Sequence, residues 1–167
     1  MERTRVVLKP DALQRGIVGE IITRFERVGL KIIASKLLYR DTSHYHQHYE
    51  GIGGLKTRRG DKTFEVTLAM MQQGPVLAFV LEGVEAIAQV RKMVGPTEPK
   101  SALPGTIRGD YAHISYGHAD KYEIGIPNLV HASADEKEAE QEIAHWFSEA
   151  EIYDYETVSQ KFTQPKK

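Results

Sequence analysis

Along the chain, apolar positions switch between a two-residue and a 3.6-residue period. Thr4 to Lys9 is rich in β-branched residues and predicts a short strand that Pro10 stops. Ile17, Val18, Ile21, Ile22, Phe25 and Val28 then recur at helical spacing as one broad apolar face, closed by Gly29. Lys31 to Tyr39 predicts a second strand, and Asp41, Thr42 and Ser43 offer caps for a short helix through Tyr49. Gly51 to Lys62, rich in glycine and basic residues, reads as a loop. Phe64 to Gln73 reads as a helix broken at Gly74-Pro75. Val76 to Leu81 is a continuous apolar strand, the pattern of one buried on both faces. Val84 to Val94 predicts a helix ending at Gly95.

Periodicity then fades. Pro96 to Asp110, punctuated by prolines and glycines, reads as a long shaped loop. Tyr111 to Tyr116 is the candidate fourth strand, and Gly117 to Pro127 a second loop. A last helix runs from Asp135 or Glu136 to Phe147, with Ala139, Ile143, Trp146 and Phe147 on one stripe. The order β-α-β-α-α-β-α-β-α fits an α/β (α+β) fold of the ferredoxin-like kind, a split β-α-β sandwich with four antiparallel strands, covering helices and insertions. A small doubly wound sheet is the alternative.

Length and composition narrow this further. The 167 residues suit a single domain over 1–162, with a frayed polar tail at 163–167. Lys+Arg 22 against Asp+Glu 23 leaves a net charge of -1, so a general polyanion-coating protein is disfavoured and nucleic acid is not an expected partner. The absence of cysteine excludes a disulfide scaffold, a thiolate nucleophile and Cys-ligated zinc. No apolar run is long enough for a signal peptide core or a membrane span, so a cytoplasmic protein is expected.

Positive charge gathers beside three backbone breaks. Lys9 closes the first strand, at the sheet edge where ligands often bind. Arg91 continues the stripe of Val84 and Ile87, next to Gly95. Arg108 lies in Gly105-Thr106-Ile107-Arg108-Gly109-Asp110, where glycines permit close backbone approach. Together they would make a forked phosphate clamp, with Thr97 adding a hydroxyl. Alone, each reads first as a surface or structural cation.

His131, in Asn128-Leu129-Val130-His131-Ala132-Ser133, precedes the last helix, for which Ser133 with Glu136 and Asp135 with Glu138 are both capping-box candidates. A helix N-terminus favours phosphate, and a neutral imidazole nitrogen can attack phosphorus. Glu142 would accept a hydrogen bond from the other ring nitrogen and fix the tautomer. Spacing by itself favours a locally packed loop histidine. His44 and His48 share a helical face, but two imidazoles without a third ligand make a weak metal site. The basic segment Lys56-Thr57-Arg58-Arg59-Gly60 lacks aromatic interleaving and reads as a solvated loop. Neither a P-loop nor a dinucleotide fingerprint is present.

In combination, these residues resemble the nucleoside diphosphate kinase family over nearly the whole chain, from about Arg3 to Tyr155. The resemblance is carried by Leu8-Lys9-Pro10-Asp11 with Gln14-Arg15-Gly16, by Pro104 to Asp110, and by Asn128 to Ser133. Gly74-Pro75, Glu82-Gly83 and Trp146-Phe147 agree with it. It implies transfer of the γ-phosphoryl group of a nucleoside triphosphate to a nucleoside diphosphate, by ping-pong exchange through a phosphohistidine with Mg²⁺ on the nucleotide phosphates. It makes His131 the nucleophile, places Lys9 and Asn128 on the ribose hydroxyls, and places Tyr49, Arg91, Thr97 and Arg108 on the phosphates. Ser133 and Glu142 would support His131, and Phe64 would stack on the base. A homo-oligomer, tetramer or hexamer, is also implied.

The chain departs from the family pattern in three places. Ala132 replaces the glycine that usually follows the histidine, and Gly53 to Lys62 and Gly117 to Pro127 are longer than usual. The rival from another class is a ferredoxin-like nucleotide-binding or regulatory module without catalysis.

Overall fold

Two strands, β1 (Glu2–Leu8) and β3 (Val76–Gly83), lie side by side at the centre of a sheet, and alternation along them divides their apolar side chains between two cores. The computed structural model describes residues 1–164, so 165–167 of the expected tail lie outside the described residues. With β2 (Lys31–Leu38) and β4 (Val130–Ala132), the sheet order is β2-β3-β1-β4, and every neighbouring pair is antiparallel. This is the ferredoxin-like order, with β1 and β3 inside.

On one face, Val6, Leu8, Phe79 and Leu81 pack against α2 (Val18–Arg27), through Ile21 and Phe25, and against α6 (Ala86–Val94), through Val90 and Val94. Residues one position out of phase, Val7, Ala78 and Val80, meet a second core built from Tyr45, Phe64, Leu68 and Trp146. Its helices are α3 (Thr42–His46), α5 (Asp61–Met71) and α9 (Glu136–Trp146). Both faces are therefore covered, which is why Val76 to Leu81 reads as unbroken apolar sequence. Short helices α1 (Pro10–Gln14), α4 (Leu55–Arg59), α7 (Ile107–Tyr111), α8 (Tyr116–Lys121) and α10 (Gln160–Thr163) fill the connections. No helix among the described residues is long and apolar enough to cross a membrane.

The structure corrects several expectations. Tyr111 to Tyr116 is not a strand: Tyr111 ends α7 and Tyr116 opens α8, and the fourth strand is Val130–Ala132, which carries His131 itself. Val7 sits opposite His131 in that pairing. The loop expected over Gly51 to Lys62 contains α4 and the start of α5, and that over Gly117 to Pro127 contains most of α8. Pro96 to Asp110 holds a 3₁₀ turn at Pro99–Ser101 and most of α7. Asp41 does cap α3, accepting from the His44 amide, but the helix then widens into a π-type turn over Gln47–Ile52.

Candidate active site

The π-type turn, the end of β1, β4 and the first turns of α9 converge on a cleft of about 510 Å³. It is lined by Lys9, Tyr49, Arg91, Thr97, Arg108, Asn128 and His131, all expected in a site. Seven residues scattered over the sequence are thus brought to one cavity.

Phe64 is not among them. It is 6% exposed and sits in the second core, edge-on to His46 at 5.2 Å. The physical reason is helix phase: Phe64, Leu68 and Met71 fall at i, i+4 and i+7 of α5 and form its buried stripe. The outer cleft is lined instead by Leu55, Arg59 and Tyr116, from α4 and the start of α8. The two lengthened segments meet there, with Arg59 over the Tyr116 ring at 5.8 Å and Lys62 paired with Glu123. The helical spacing of Phe64, Leu68 and Met71, already visible in the sequence, was the signal for this outcome.

The cleft floor is a strained corner. Leu129 is fully buried with φ +72°, and the Val130 amide donates to the Asn128 carbonyl, closing a tight γ-turn just before His131. Its surroundings hold it there. Asp11 accepts from the Leu129 amide at 3.0 Å, and the Lys9 amide donates to the Leu129 carbonyl at 2.8 Å. The Arg108 guanidinium donates to the carbonyls of Asn128, Gly95 and Val130. These bonds take three of its five N–H groups, and two remain for a ligand. Burial pulls its pKa to about 10, so it stays charged at neutral pH.

Lys9 is buried at the end of β1, where its Nζ donates to Asn128 Oδ1 at 2.7 Å. Asn128 Nδ2 donates to the Thr97 carbonyl at 2.7 Å. Burial lowers the Lys9 pKa to about 8; Asp11 opposes that fall and Arg108 adds to it. Tyr49, pushed up by burial, keeps a hydroxyl without a partner among the described residues.

His131 Nε2 lies 2.8 Å from Glu142 Oε1. A carboxylate only accepts, so Nε2 carries the proton and Nδ1 keeps its lone pair. Glu142, fully buried, also accepts from Ser133 Oγ at 2.6 Å. Ser133 therefore supports Glu142 and is not a helix cap; Asp135 caps α9, accepting from the Glu138 amide. A residue the spacing does not flag completes the group. Arg5, fully buried on β1, donates through Nε to Glu142 Oε2 at 3.2 Å and pairs through Nη2 with Oε1 at 2.9 Å. Burial opposes ionisation of Glu142, but Arg5 and then His131 outweigh it and hold the carboxyl well below the usual range. For His131, burial lowers the pKa; Glu142 raises it, and Arg5 and Lys9 lower it.

His44 and His48 do not act as a pair. His44 stacks on His145 at 4.0 Å, while His48 turns inward, 1% exposed, with Nε2 3.3 Å from Arg5 Nη2. Donor atoms of His48, His131 and Glu142 lie within 4.8 Å of one another. They do not suit a cation, because Arg5 already offsets the carboxylate and engages His48 Nε2.

Comparison with known proteins agrees with this geometry. The family model for nucleoside diphosphate kinase matches residues 2–152. The chain belongs to the nucleoside diphosphate kinase family. It is 41% identical to the nucleoside diphosphate kinase of Borreliella burgdorferi over 93% of this chain and 92% of that one. It is 42% identical to that of Pyrococcus furiosus over 100% and 96%. A solved Borrelia burgdorferi nucleoside-diphosphate kinase, a transition-state mimic with vanadate and ADP, superposes with a TM-score of 0.93 at 40% identity, covering 97% of this chain and 96% of that one. A Halobacterium salinarum nucleoside diphosphate kinase in complex with CDP gives 0.83 at 36% identity, covering 97% of each. A kinase of this family transfers the γ-phosphoryl group between nucleotides, and a non-catalytic module is not favoured.

Folding lowers the Lys9 pKa, so between about 8 and the ordinary 10.5 the unfolded chain holds the extra proton. Stability then rises with pH across that window. Relative to Lys9→Met, the wild type should gain up to about 3 kcal/mol there in urea denaturation. A difference independent of pH would contradict a desolvated Lys9.

Proposed function

We propose that this nucleoside diphosphate kinase works through a phosphohistidine on His131, and the observation that carries the reading is the Glu142 hydrogen bond to Nε2. Nδ1 is thereby left as the nucleophilic nitrogen on the wall of a cation-lined cleft. Its lone pair attacks the γ-phosphorus in line, the bond to the bridging oxygen breaks, and the diphosphate leaves with those electrons. In the second half-reaction a terminal oxygen of another diphosphate attacks phosphorus, and the P–N electrons return to Nδ1. Nε2 keeps its proton throughout. Phosphoryl transfer asks the protein mainly for alignment and charge cancellation.

Arg91, exposed on the cleft wall, and the two free N–H groups of Arg108 would hold the phosphates, with the Tyr49 and Thr97 hydroxyls. Lys9 and Asn128 would meet the ribose hydroxyls. Mg²⁺ would arrive on the nucleotide, held by phosphate oxygens, because cations dominate this part of the cleft. Leu55 and Tyr116, rather than Phe64, offer apolar surface to the base. A symmetric homo-oligomer, tetramer or hexamer, in the cytoplasm completes the proposal. It is supported by apolar Leu37 and Tyr39, 64% and 62% exposed at the end of edge strand β2 and just beyond it.

Conversion of GDP to GTP with ATP tests the reading. His131→Ala should lose activity by several orders of magnitude while ADP binding changes little. Substantial turnover in that variant would remove His131 from the mechanism. Arg91→Lys should lower kcat/KM by the equivalent of about 2–4 kcal/mol, since an ammonium cannot reproduce the planar fork. Full activity in it would rule out the clamp.

A further inference from the structure

β1 presents Arg5, Val7 and Lys9 on one side, and only Val7 does what a buried strand residue ordinarily does. Arg5 is fully buried, and so is its partner Glu142. A buried ion pair is weak support for stability, because an apolar replacement of similar volume often serves as well. Arg5 carries a further cost, since its Nη1 is buried without a hydrogen-bond partner among the described residues. What the guanidinium does achieve is specific. Two of its nitrogens hold both oxygens of Glu142, Nη2 also reaches His48 Nε2, and Trp146 lies over the group at 4.9 Å. Both of its ionic contacts therefore fall on the carboxylate that hydrogen-bonds His131.

We propose that Arg5 is a positioning residue for phosphoryl transfer: by clamping and offsetting Glu142, it orients His131 and keeps its imidazole in the neutral, weakly basic form that accepts and releases the phosphoryl group. The inference rests on the reading of His131 as the nucleophile. A carboxylate facing an imidazole with no counter-cation favours the imidazolium, which has no lone pair at Nδ1. Removing Arg5 would create that situation, and the His131–Glu142 pair would take up its shared proton at higher pH. The other charged and titratable groups around His131 do not replace Arg5. Lys9 at the end of β1, Arg91 on α6 and Arg108 on α7 line the cleft rather than contacting Glu142. His48 and Tyr49 in the π-type turn stay neutral, and Glu138 on α9 is a second carboxylate whose ionisation burial disfavours. Phosphoenzyme discharge should depend on Arg5 too, because a more basic imidazole is a poorer leaving group when the P–N bond breaks.

The test follows phosphoenzyme formation from ATP and its discharge by GDP, by rapid quench across pH, in the full-length wild type, Arg5→Met and Arg5→Lys. The titration of the nucleotide is common to all three and cancels. In Arg5→Met the acid limb of the formation rate should move up by roughly one pH unit, the scale of one nearby charge, and discharge should slow about tenfold. Arg5→Lys should return the limb toward the wild type. Arg5→Met strands a buried carboxylate; should it not fold, Arg5→Gln, whose amide can still donate to Glu142 but carries no charge, should show the same upward shift. Phosphorylation of His131 with an acid limb unmoved by loss of Arg5 would overturn the inference alone. Wild-type protein phosphorylated anywhere other than His131 would overturn the nucleophile assignment and the inference together.

Discussion

One buried carboxylate organises the reactive half of the molecule. Glu142 lies on α9 in a core where an isolated charge is not tolerated, and four residues supply what it needs: Arg5 from β1, His131 from β4, Ser133 just after it and, close by, His48 from the π-type turn. Each donor is fixed because the acceptor is fixed. The widened turn at Gln47–Ile52 and the three-residue length of β4 make sense as accommodations that bring imidazole rings to that point.

A second constraint acts from the cleft side. The γ-turn at Leu129 places a buried leucine at positive φ, a conformation costing on the order of 1–3 kcal/mol that persists only when its surroundings impose it. Asp11, the Lys9 backbone and Arg108 do so from two segments distant from it in sequence. Lys9 and Arg108 also line the cleft, so strain and ligand contacts share one scaffold. Arg108 divides its donors between main-chain carbonyls and the cavity, which couples the integrity of the floor to the charge of the wall.

The central sheet was legible because β1, β2 and β3 are long enough to show a period and rich in β-branched residues. β4 was not, because three residues carry no period and its neighbours are irregular. α4 and α8 were hidden by the glycines and charges around them, which read as loop chemistry although each segment completes a short helix. In the site, Lys9, Arg91, Arg108, Asn128 and His131 were readable from motifs, and the cleft unites them. Phe64 was misplaced because the resemblance assigned it to the base, while the helical stripe it shares with Leu68 and Met71 turns it inward. Arg5 gave a single faint sign, an arginine two residues before Val7 on a strand that is otherwise buried. Its importance depends on Glu142, 137 positions away, and no local pattern encodes that pairing.

The central claim is that Glu142 holds the proton on Nε2 and so dedicates Nδ1 of His131 to chemistry. Nitrogen-resolved NMR of the phosphorylated protein, with ¹⁵N-labelled histidine and ³¹P detection, tests it most directly. The account predicts a single phosphohistidine at position 131 with the phosphoryl group on Nδ1 and the proton on Nε2. Phosphate on Nε2 of that ring would contradict it.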